Sequence, residues 1–378
     1  MITTPINNGP ASTQKIHTPN LDKKISLFDP SSQLKAMPAL WYTDRDIYEA
    51  ERLSVFGHNW LAVGHTGEVA NPLSYFSLEV ADESVVVVRD NDYKLKAFSN
   101  VCRHRATQLL TDTQGTLATN MMKCQYHGWC YDLAGHLRKA PELGPVPGFT
   151  REDHSLVPFE VESWDPLVFV RMKPGNEALQ DTLKPIIESI KDRNLSSLKW
   201  GGRKEYEVAC NWKVYVDNYL DGGYHVPTVH PELAKALNYS KYRTDIFDRS
   251  SLQHAPTQTA GDAASAARQG SDAMYWWIYP NLMINIYQDV MDTNIVLPMG
   301  TDKCKVIFDF YFSDKWNQTT IDSYIASSHQ VQLEDMKVCE QVQHGLKSQF
   351  YTSGPYAKRE TGEKQFHELL ANDLKKTL

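Results

Sequence analysis

Short runs of β-branched and aromatic residues, each closed by turn residues, recur between about residues 59 and 172. The segments 84–88 (SVVVV), 94–98 and 167–171 (LVFVR) are the clearest of these predicted strands. Lys, Pro, Gly and Asn at 173–176 read as a linker. Beyond it the period changes. Residues 177–193 and 212–220 read as largely helical, and 318–348 as one long helix. Pro185 interrupts the first of these, so its regular part is expected to start there. Residues 274–297 alternate aromatic and aliphatic positions as paired strands do, while 262–270 (DAASAARQG) read as a mobile loop or short exposed helix. The pattern predicts an N-terminal arm over 1–40, a β-rich domain over 41–172 and a larger α+β domain over 173–378.

Composition narrows the class. The chain has 378 residues, 42% hydrophobic and 22% charged, as globular proteins do, and a net charge of -7 gives no basic excess with which to neutralise phosphates. Nucleic acid is therefore not expected as a partner. No membrane span is expected either, because no apolar run reaches eighteen residues. The first residues are rich in Thr, Asn and Pro and lack an apolar stretch, which argues against a secretory signal. They read as a poorly ordered arm on a cytoplasmic protein. Organellar import stays open, since acidic residues are absent before Asp22, although arginine is absent too. Six scattered cysteines do not form a disulfide framework; Cys130, Cys210, Cys304 and Cys339 read as free thiols.

Cys102 and Cys124 are different. They open C-R-H (Cys102 to His104) and C-Q-Y-H (Cys124 to His127), with nineteen residues between His104 and Cys124. If two hairpin tips face each other, two thiolates and two imidazoles converge, a donor set for zinc or an iron–sulfur cluster. Zinc sites usually pair like ligands, C-x-x-C with H-x-H. Here each loop offers one of each, which suits a cluster with one iron held by cysteines and the other by histidines.

A second group of ligands is spread more widely. The helix from Trp212 runs into Asp221-Gly222-Gly223-Tyr224-His225-Val226-Pro227, where the glycines and the proline end it. His225 and His230 then fall on neighbouring turns. A non-haem iron needs two histidines and one carboxylate on one face. In the late helix Asp335 falls on a stripe with Val331, Val338, Val342 and Leu346, whereas Glu334 shares the face of Gln330, Lys337 and Gln341. A carboxylate turned toward the core requires a cation, so Asp335 is the expected third ligand.

The string C-x-H … C-x-x-H-G-W-x-Y-D-x-x-G over 102–135 resembles the cluster motif of the Rieske non-haem iron oxygenases. Residues 206–231 resemble that family's catalytic-helix motif, and Leu333-Glu334-Asp335 its E-D ligand motif. The resemblance extends from about 41 to 366 and is nearest the choline monooxygenase-like branch. It implies an α+β chain: a Rieske [2Fe–2S] domain, with Cys102, His104, Cys124 and His127 as cluster ligands, ahead of a catalytic domain with a central antiparallel sheet flanked by helices. That second domain would hold a mononuclear Fe(II) on His225, His230 and Asp335. It implies a homotrimer in which an acidic residue bridges a cluster histidine of one subunit to an iron histidine of the next. Many relatives carry that acid three residues before the first iron histidine, where this chain has Gly222; Asp221 is the nearest substitute, with Asp217 a weaker one.

Neither a G-x-G-x-x-G fingerprint nor a ferredoxin-type cysteine set occurs, so a separate NAD(P)H-dependent reductase is expected to supply electrons for O2. Tyr275, Trp277, Tyr279 and Tyr287 lie in the segment that lines the family's pocket, and alternation along a strand places the first three on one face. Aromatic faces attract quaternary ammonium groups, although ordinary aromatic core explains the same residues. The expected reaction is monooxygenation of a small quaternary or methylated amine, with choline to betaine aldehyde as prototype. N-demethylation of a betaine or carnitine-like amine is an alternative. Hydroxylation or O-demethylation of an aromatic acid gripped by Arg203, Arg243 or Arg249 is another, and a non-catalytic Rieske electron carrier is a third.

Overall fold

The computed structural model describes residues 20–30, 35–193, 195–257 and 272–377; the segment 262–270 and residues 1–19 lie outside them. Ten strands occupy the first half: β1 (Leu61–His65), β2 (Ser74–Val80), β3 (Glu83–Arg89), β4 (Leu95–Ser99), β5 (Gln114–Thr116), β6 (Met121–Lys123), β7 (Cys130–Asp132), β8 (Leu137–Lys139), β9 (Pro158–Trp164) and β10 (Leu167–Arg171). Seven of them form one antiparallel sheet in the order β1-β10-β9-β4-β3-β2-β5, and β6-β7-β8 form a small separate sheet. The valine run explains how the two are joined. Val85 and Val87 enter the large core shared with the second half, while Val86 and Val88 pack with Phe98, Trp129, Tyr131 and both Cys102 and Cys124 in a smaller core. The middle of β3 thus faces two cores, which is why Val85, Val86, Val87 and Val88 are all apolar instead of alternating.

The second half holds β11 (Lys199–Val208), β12 (Arg243–Ile246), β13 (Ser250–Pro256), β14 (Asp272–Ile278), β15 (Leu282–Ile286), β16 (Val290–Pro298) and β17 (Cys304–Phe312). They make an antiparallel sheet in the order β11-β17-β16-β15-β14-β13-β12, a meander from β12 to β17 with β11 added beside β17. The helices Trp212–Leu220 and Gln318–Gly345 pack on one another and against β16 and β11. Asn211 and Asn317 cap their starts, each side-chain oxygen accepting a backbone N–H, from Lys213 at 3.0 Å and Thr320 at 2.9 Å. The Lys213 ammonium is fully buried and donates to Glu51 of the helix Arg45–His58 at 2.6 Å, beside the Trp212 indole N–H at 2.9 Å. Those contacts fix the Trp212 helix, which carries the site.

Three expectations shift. Pro185 sits inside the helix Leu179–Ile190 instead of starting it, because the buried stripe Leu179, Leu183, Ile186 and Ile190 needs the preceding turn. Within the arm, residues Leu21–Ser26 are helical, and Leu21, Ile25 and Phe28 reach the large core. In the late helix the buried positions are Tyr324, Gln332, Cys339 and Gln343, one step round from the valine stripe, and Val342 is exposed. No helix of the described residues is long and apolar enough to cross a membrane.

Candidate metal centres

Two loops present the first donor set, and they share one backbone design. In each, the cysteine N–H donates to the carbonyl five residues on: Cys102 to Thr107 and Cys124 to Trp129, both at 2.8 Å. In each, the residue four on donates back to the cysteine carbonyl: Ala106 to Cys102 and Gly128 to Cys124, both at 3.1 Å. The returning residue takes a left-handed backbone, φ 55° at Ala106 and 70° at Gly128. Glycine takes such a backbone without strain, which suits Gly128 of H-G-W to its place.

The loops bring the imidazoles together with their Nδ1 atoms 3.1 Å apart. Both thiols are buried, and Cys102 Sγ lies 3.3 Å from the Tyr131 hydroxyl, which itself accepts the Arg103 N–H at 3.0 Å. Trp129 stacks flat on His104, with centroids 4.8 Å apart, and His127 is exposed. Sulfurs on the inside and imidazoles on the outside fit a two-iron cluster whose irons differ, and a zinc site has no need of that asymmetry.

The second set comes from the end of the Trp212 helix and from the long helix. Gly222 and Gly223, at φ 71° and 70°, unwind the chain after Asp221, and the short helix Val226–Val229 then spaces His225 from His230. A Cβ at Gly222 would lie 2.2 Å from the Arg359 carbonyl oxygen, so a side chain there would have to displace backbone, and Asp221 carries a carboxylate one residue earlier. Ligand atoms of His225, His230 and Asp335 all lie within 4.8 Å of one another. Asp335 Oδ1 is 2.9 Å from His230 Nε2 and 3.7 Å from His225 Nε2, within reach of one ion with bonds of about 2.1 Å. Asn218 donates to Asp335 Oδ1 at 2.7 Å and steadies it.

The other nitrogen of each ring is held by a further carboxylate. His225 Nδ1 lies 2.6 Å from Asp221 Oδ2, and Asp221 also accepts the backbone N–H groups of Tyr224 and His225. His230 Nδ1 lies 2.7 Å from Glu334 Oε2, and Glu334 accepts from Gln330 at 3.0 Å. Such partners fix ring orientation and raise ligand basicity. Burial opposes charging of His230, but Asp335 and Glu334 outweigh it and raise its pKa above the ordinary value. Glu334, on the polar Gln330 face of the helix, is thereby tied to His230. Asp217 is engaged elsewhere, accepting from the Tyr42 hydroxyl at 2.6 Å and lying 2.9 Å from His367 Nε2.

A cavity of about 120 Å³ opens onto His225, His230 and Asp335 and is walled by Tyr219, Tyr242, Tyr275, Tyr287, Phe308 and Tyr324. Burial holds the Tyr219 and Tyr242 phenols well above their ordinary pKa, so both stay neutral. Of the four aromatics expected from the sequence, Tyr275 and Tyr287 line this cavity. Trp277 and Tyr279 do not. Both are fully buried under the helix Thr361–Lys375, with Phe366 against Trp277 at 5.5 Å and Asp373 accepting from the Tyr279 hydroxyl at 2.9 Å. Alternation fixes which face a residue takes; it does not say what covers that face two or four residues further along. Phe308, Tyr324 and the polar trio Asn285, Asp292 and Asn294 complete the wall and were not singled out in the sequence. The polar residues Asp292 and Asn294 within the fully buried strand β16 are the available signal.

Comparison with known proteins is consistent across the chain. Residues 59–150 match the Rieske [2Fe-2S] domain and residues 195–376 the ring hydroxylating alpha subunit (catalytic domain). The chloroplastic choline monooxygenase of Arabidopsis thaliana is 36% identical, over 96% of this chain and 91% of its own length. The carnitine monooxygenase oxygenase subunit of Escherichia coli K12 is 31% identical, over 90% and 94%. A quaternary ammonium Rieske monooxygenase solved with L-carnitine superposes with a TM-score of 0.77 at 29% identity, covering 90% of this chain and 95% of that one.

Proposed function

Because this chain belongs to the Rieske non-haem iron oxygenases, a monooxygenase with a [2Fe–2S] cluster and a mononuclear iron, we propose that its substrate is a small quaternary or methylated amine, with choline as prototype. The observation that carries this reading is the tyrosine-walled cavity beside His225, His230 and Asp335. Aromatic faces hold a desolvated ammonium by roughly 0.5–2 kcal/mol each, and several here face one small volume. The relatives named for choline and carnitine support the same substrate class.

When bound, the cluster passes electrons singly and the iron activates O2. One oxygen atom enters a substrate C–H bond and the other leaves as water, with two electrons and two protons consumed. For choline the product is the hydrate of betaine aldehyde; attack on an N-methyl group gives formaldehyde and the demethylated amine. The chain's own residues orient the reactants. His225 and His230 would hold the iron through Nε2 because Asp221 and Glu334 occupy their Nδ1 atoms. Tyr219 and Tyr242 remain neutral, and with Tyr275, Tyr287 and Tyr324 they wall the cavity.

Asp221 serves a further role in this reading. It grips His225 and would reach a cluster histidine of a neighbouring copy in a homotrimer, a reading that the exposure of His127 supports. Electrons would come from a separate NAD(P)H-dependent reductase. The aromatic-acid alternative loses its support: Arg203 is tied to Glu68 and Asp309, Arg243 to His254, and Arg249 to Asn59 and the face of Tyr279.

The test is a single turnover. The iron-loaded protein is reduced chemically without oxygen, mixed with choline and exposed to labelled O2, and the products are trapped by rapid reduction and identified by mass spectrometry. Labelled product at the betaine aldehyde level supports choline. Formaldehyde with a demethylated amine keeps the amine class and moves the attack. No product from protein with both centres loaded removes choline.

A further inference from the structure

The two helices that support the iron ligands are joined by a pair of side-chain contacts. Tyr215 and Asn218 lie three residues apart on the helix Trp212–Leu220, and Gln332 and Asp335 three apart on Gln318–Gly345, so each pair shares a helix face. Asn218 donates to Asp335 Oδ1 and the Tyr215 hydroxyl donates to Gln332 Oε1, both at 2.7 Å. The first contact steadies a metal ligand. The second holds a residue that ligates nothing, yet Gln332 is only 2% exposed and lines the same cavity as His225, His230 and Asp335.

That second contact fixes which way the Gln332 amide is turned. Burial keeps the Tyr215 phenol protonated, and Gln332 Oε1 is its one acceptor among the described residues. The opposite turn would set an N–H against that hydroxyl and strand its proton. With Oε1 engaged by Tyr215, the polar end left over is Nε2, which has no hydrogen-bond partner among the described residues. Other buried atoms share that condition, Trp277 Nε1 and Gln343 Nε2 among them. Of the described residues that carry such an atom, Gln332 is the one that also lines the cavity. An amide N–H buried without an acceptor is costly, so a donor kept there points to an acceptor on what the cavity receives.

We propose that Gln332 donates an Nε2 hydrogen bond to the hydroxyl oxygen of the amine substrate and so selects the carbon presented to His225, His230 and Asp335. The proposal rests on the amine reading above and adds to it a substrate with an oxygen acceptor close to the point of attack. Aromatic faces attract an ammonium group without distinguishing its arms, so they hold choline but do not choose between an N-methyl group and the hydroxyethyl chain. A hydrogen bond is directional. Because Gln332 precedes Asp335 by about one helical turn, the arm it holds is the one brought beside the iron ligands. Oxygen then enters the C–H bond of the hydroxyl-bearing carbon, and the second oxygen atom leaves as water with two electrons from the reductase and two protons.

The experiment is a calorimetric titration of the iron-loaded, oxidised protein with choline and with ethyltrimethylammonium, which keeps the cation and lacks the hydroxyl. Wild type is expected to bind choline at least about fivefold more tightly. In Gln332→Met, which keeps the volume and removes the donor, that ratio falls to one or below through loss of choline affinity, while ethyltrimethylammonium binds as before. Each ratio is taken within one protein preparation, so a fall in folded fraction does not imitate the effect. A single turnover with choline reads the partition: betaine aldehyde dominates in wild type, and formaldehyde rises at least about fivefold relative to it in Gln332→Met. Equal affinities in wild type, or formaldehyde as its main product, overturn the proposal even if the methionine variant does not accumulate. Equal loss for both ligands in Gln332→Met overturns it in favour of a structural role. A choline preference or a product partition unchanged by Gln332→Met overturns it and leaves the amine reading standing, whereas wild type that binds neither cation overturns both.

Discussion

Glu334 and His230 are joined by a contact of 2.7 Å between Oε2 and Nδ1, while the next residue of the same helix, Asp335, reaches Nε2 of the same ring at 2.9 Å. Two consecutive helical carboxylates therefore grip one imidazole from both sides. Removing the outer grip leaves all three ligands in place and frees the ring to turn. Glu334→Ala is expected to weaken binding of the mononuclear iron by about 10–100-fold, with Glu334→Gln in between. Chelator competition on protein with an intact cluster spectrum measures it.

The two centres should be separable by mutation. Asp335→Ala is expected to abolish iron at His225 and His230 while the cluster absorbance stays, and Cys124→Ser to do the reverse. Activity disappears in both. Metal analysis against cluster absorbance reads the two outcomes independently, and loss of both centres in either variant would contradict the assignment of separate sites.

Gly222 tests why this chain departs from the commoner placement of its acid. A side chain there meets the Arg359 carbonyl oxygen at 2.2 Å and also forces a left-handed backbone on an L residue. Gly222→Ala is expected to cost about 2–4 kcal/mol from strain and overpacking together. Gly300, also at positive φ but with nothing within 4 Å of its added Cβ, is the control and should lose only about 1–2 kcal/mol as alanine. Denaturant midpoints of the two variants give the comparison.

What the sequence revealed, and what it hid, follows from the range of the forces involved. Cys102, His104, Cys124 and His127 were legible because two short loops with local hydrogen bonds fix them, and His225 and His230 because Gly222, Gly223 and Pro227 punctuate the chain between known ends. Helical spacing puts Asp335 forward as a ligand, although the stripe it uses is one step off: the buried line includes Gln332 and Gln343, polar residues that hydrophobic periodicity cannot flag. Gln332 and Gln343 are buried because Tyr215 and the Asn211 N–H bond them across helices, at 2.7 and 2.8 Å. Trp277 and Tyr279 were misplaced because the C-terminal helix covers them, a contact almost ninety residues away in the chain. Asp292 escapes a pattern of aromatic rings; it is the one acid of β16, next to Thr293 and Asn294.

The buried pair Lys213–Glu51 ties the Trp212 helix to the helix Arg45–His58 at 2.6 Å. Lys213→Ala leaves the Glu51 carboxylate buried without its cation and is expected to cost about 3–5 kcal/mol, whereas the double change Glu51→Gln with Lys213→Met costs much less. Urea unfolding followed by tryptophan fluorescence, with Trp212 beside the pair as a reporter, distinguishes the two.

The polar trio Asn285, Asp292 and Asn294 has a consequence for how such a pocket can change over time. Its members sit on the adjacent strands β15 and β16, joined by the short hairpin 287–289. Side chains on a strand switch faces with every residue, so inserting or deleting a single position within β15 or β16 would turn Asn285 or Asp292 to the opposite side and carry a sequence neighbour into the cavity. Exchanges of residue at these positions keep the register, whereas a change of length within the strands does not.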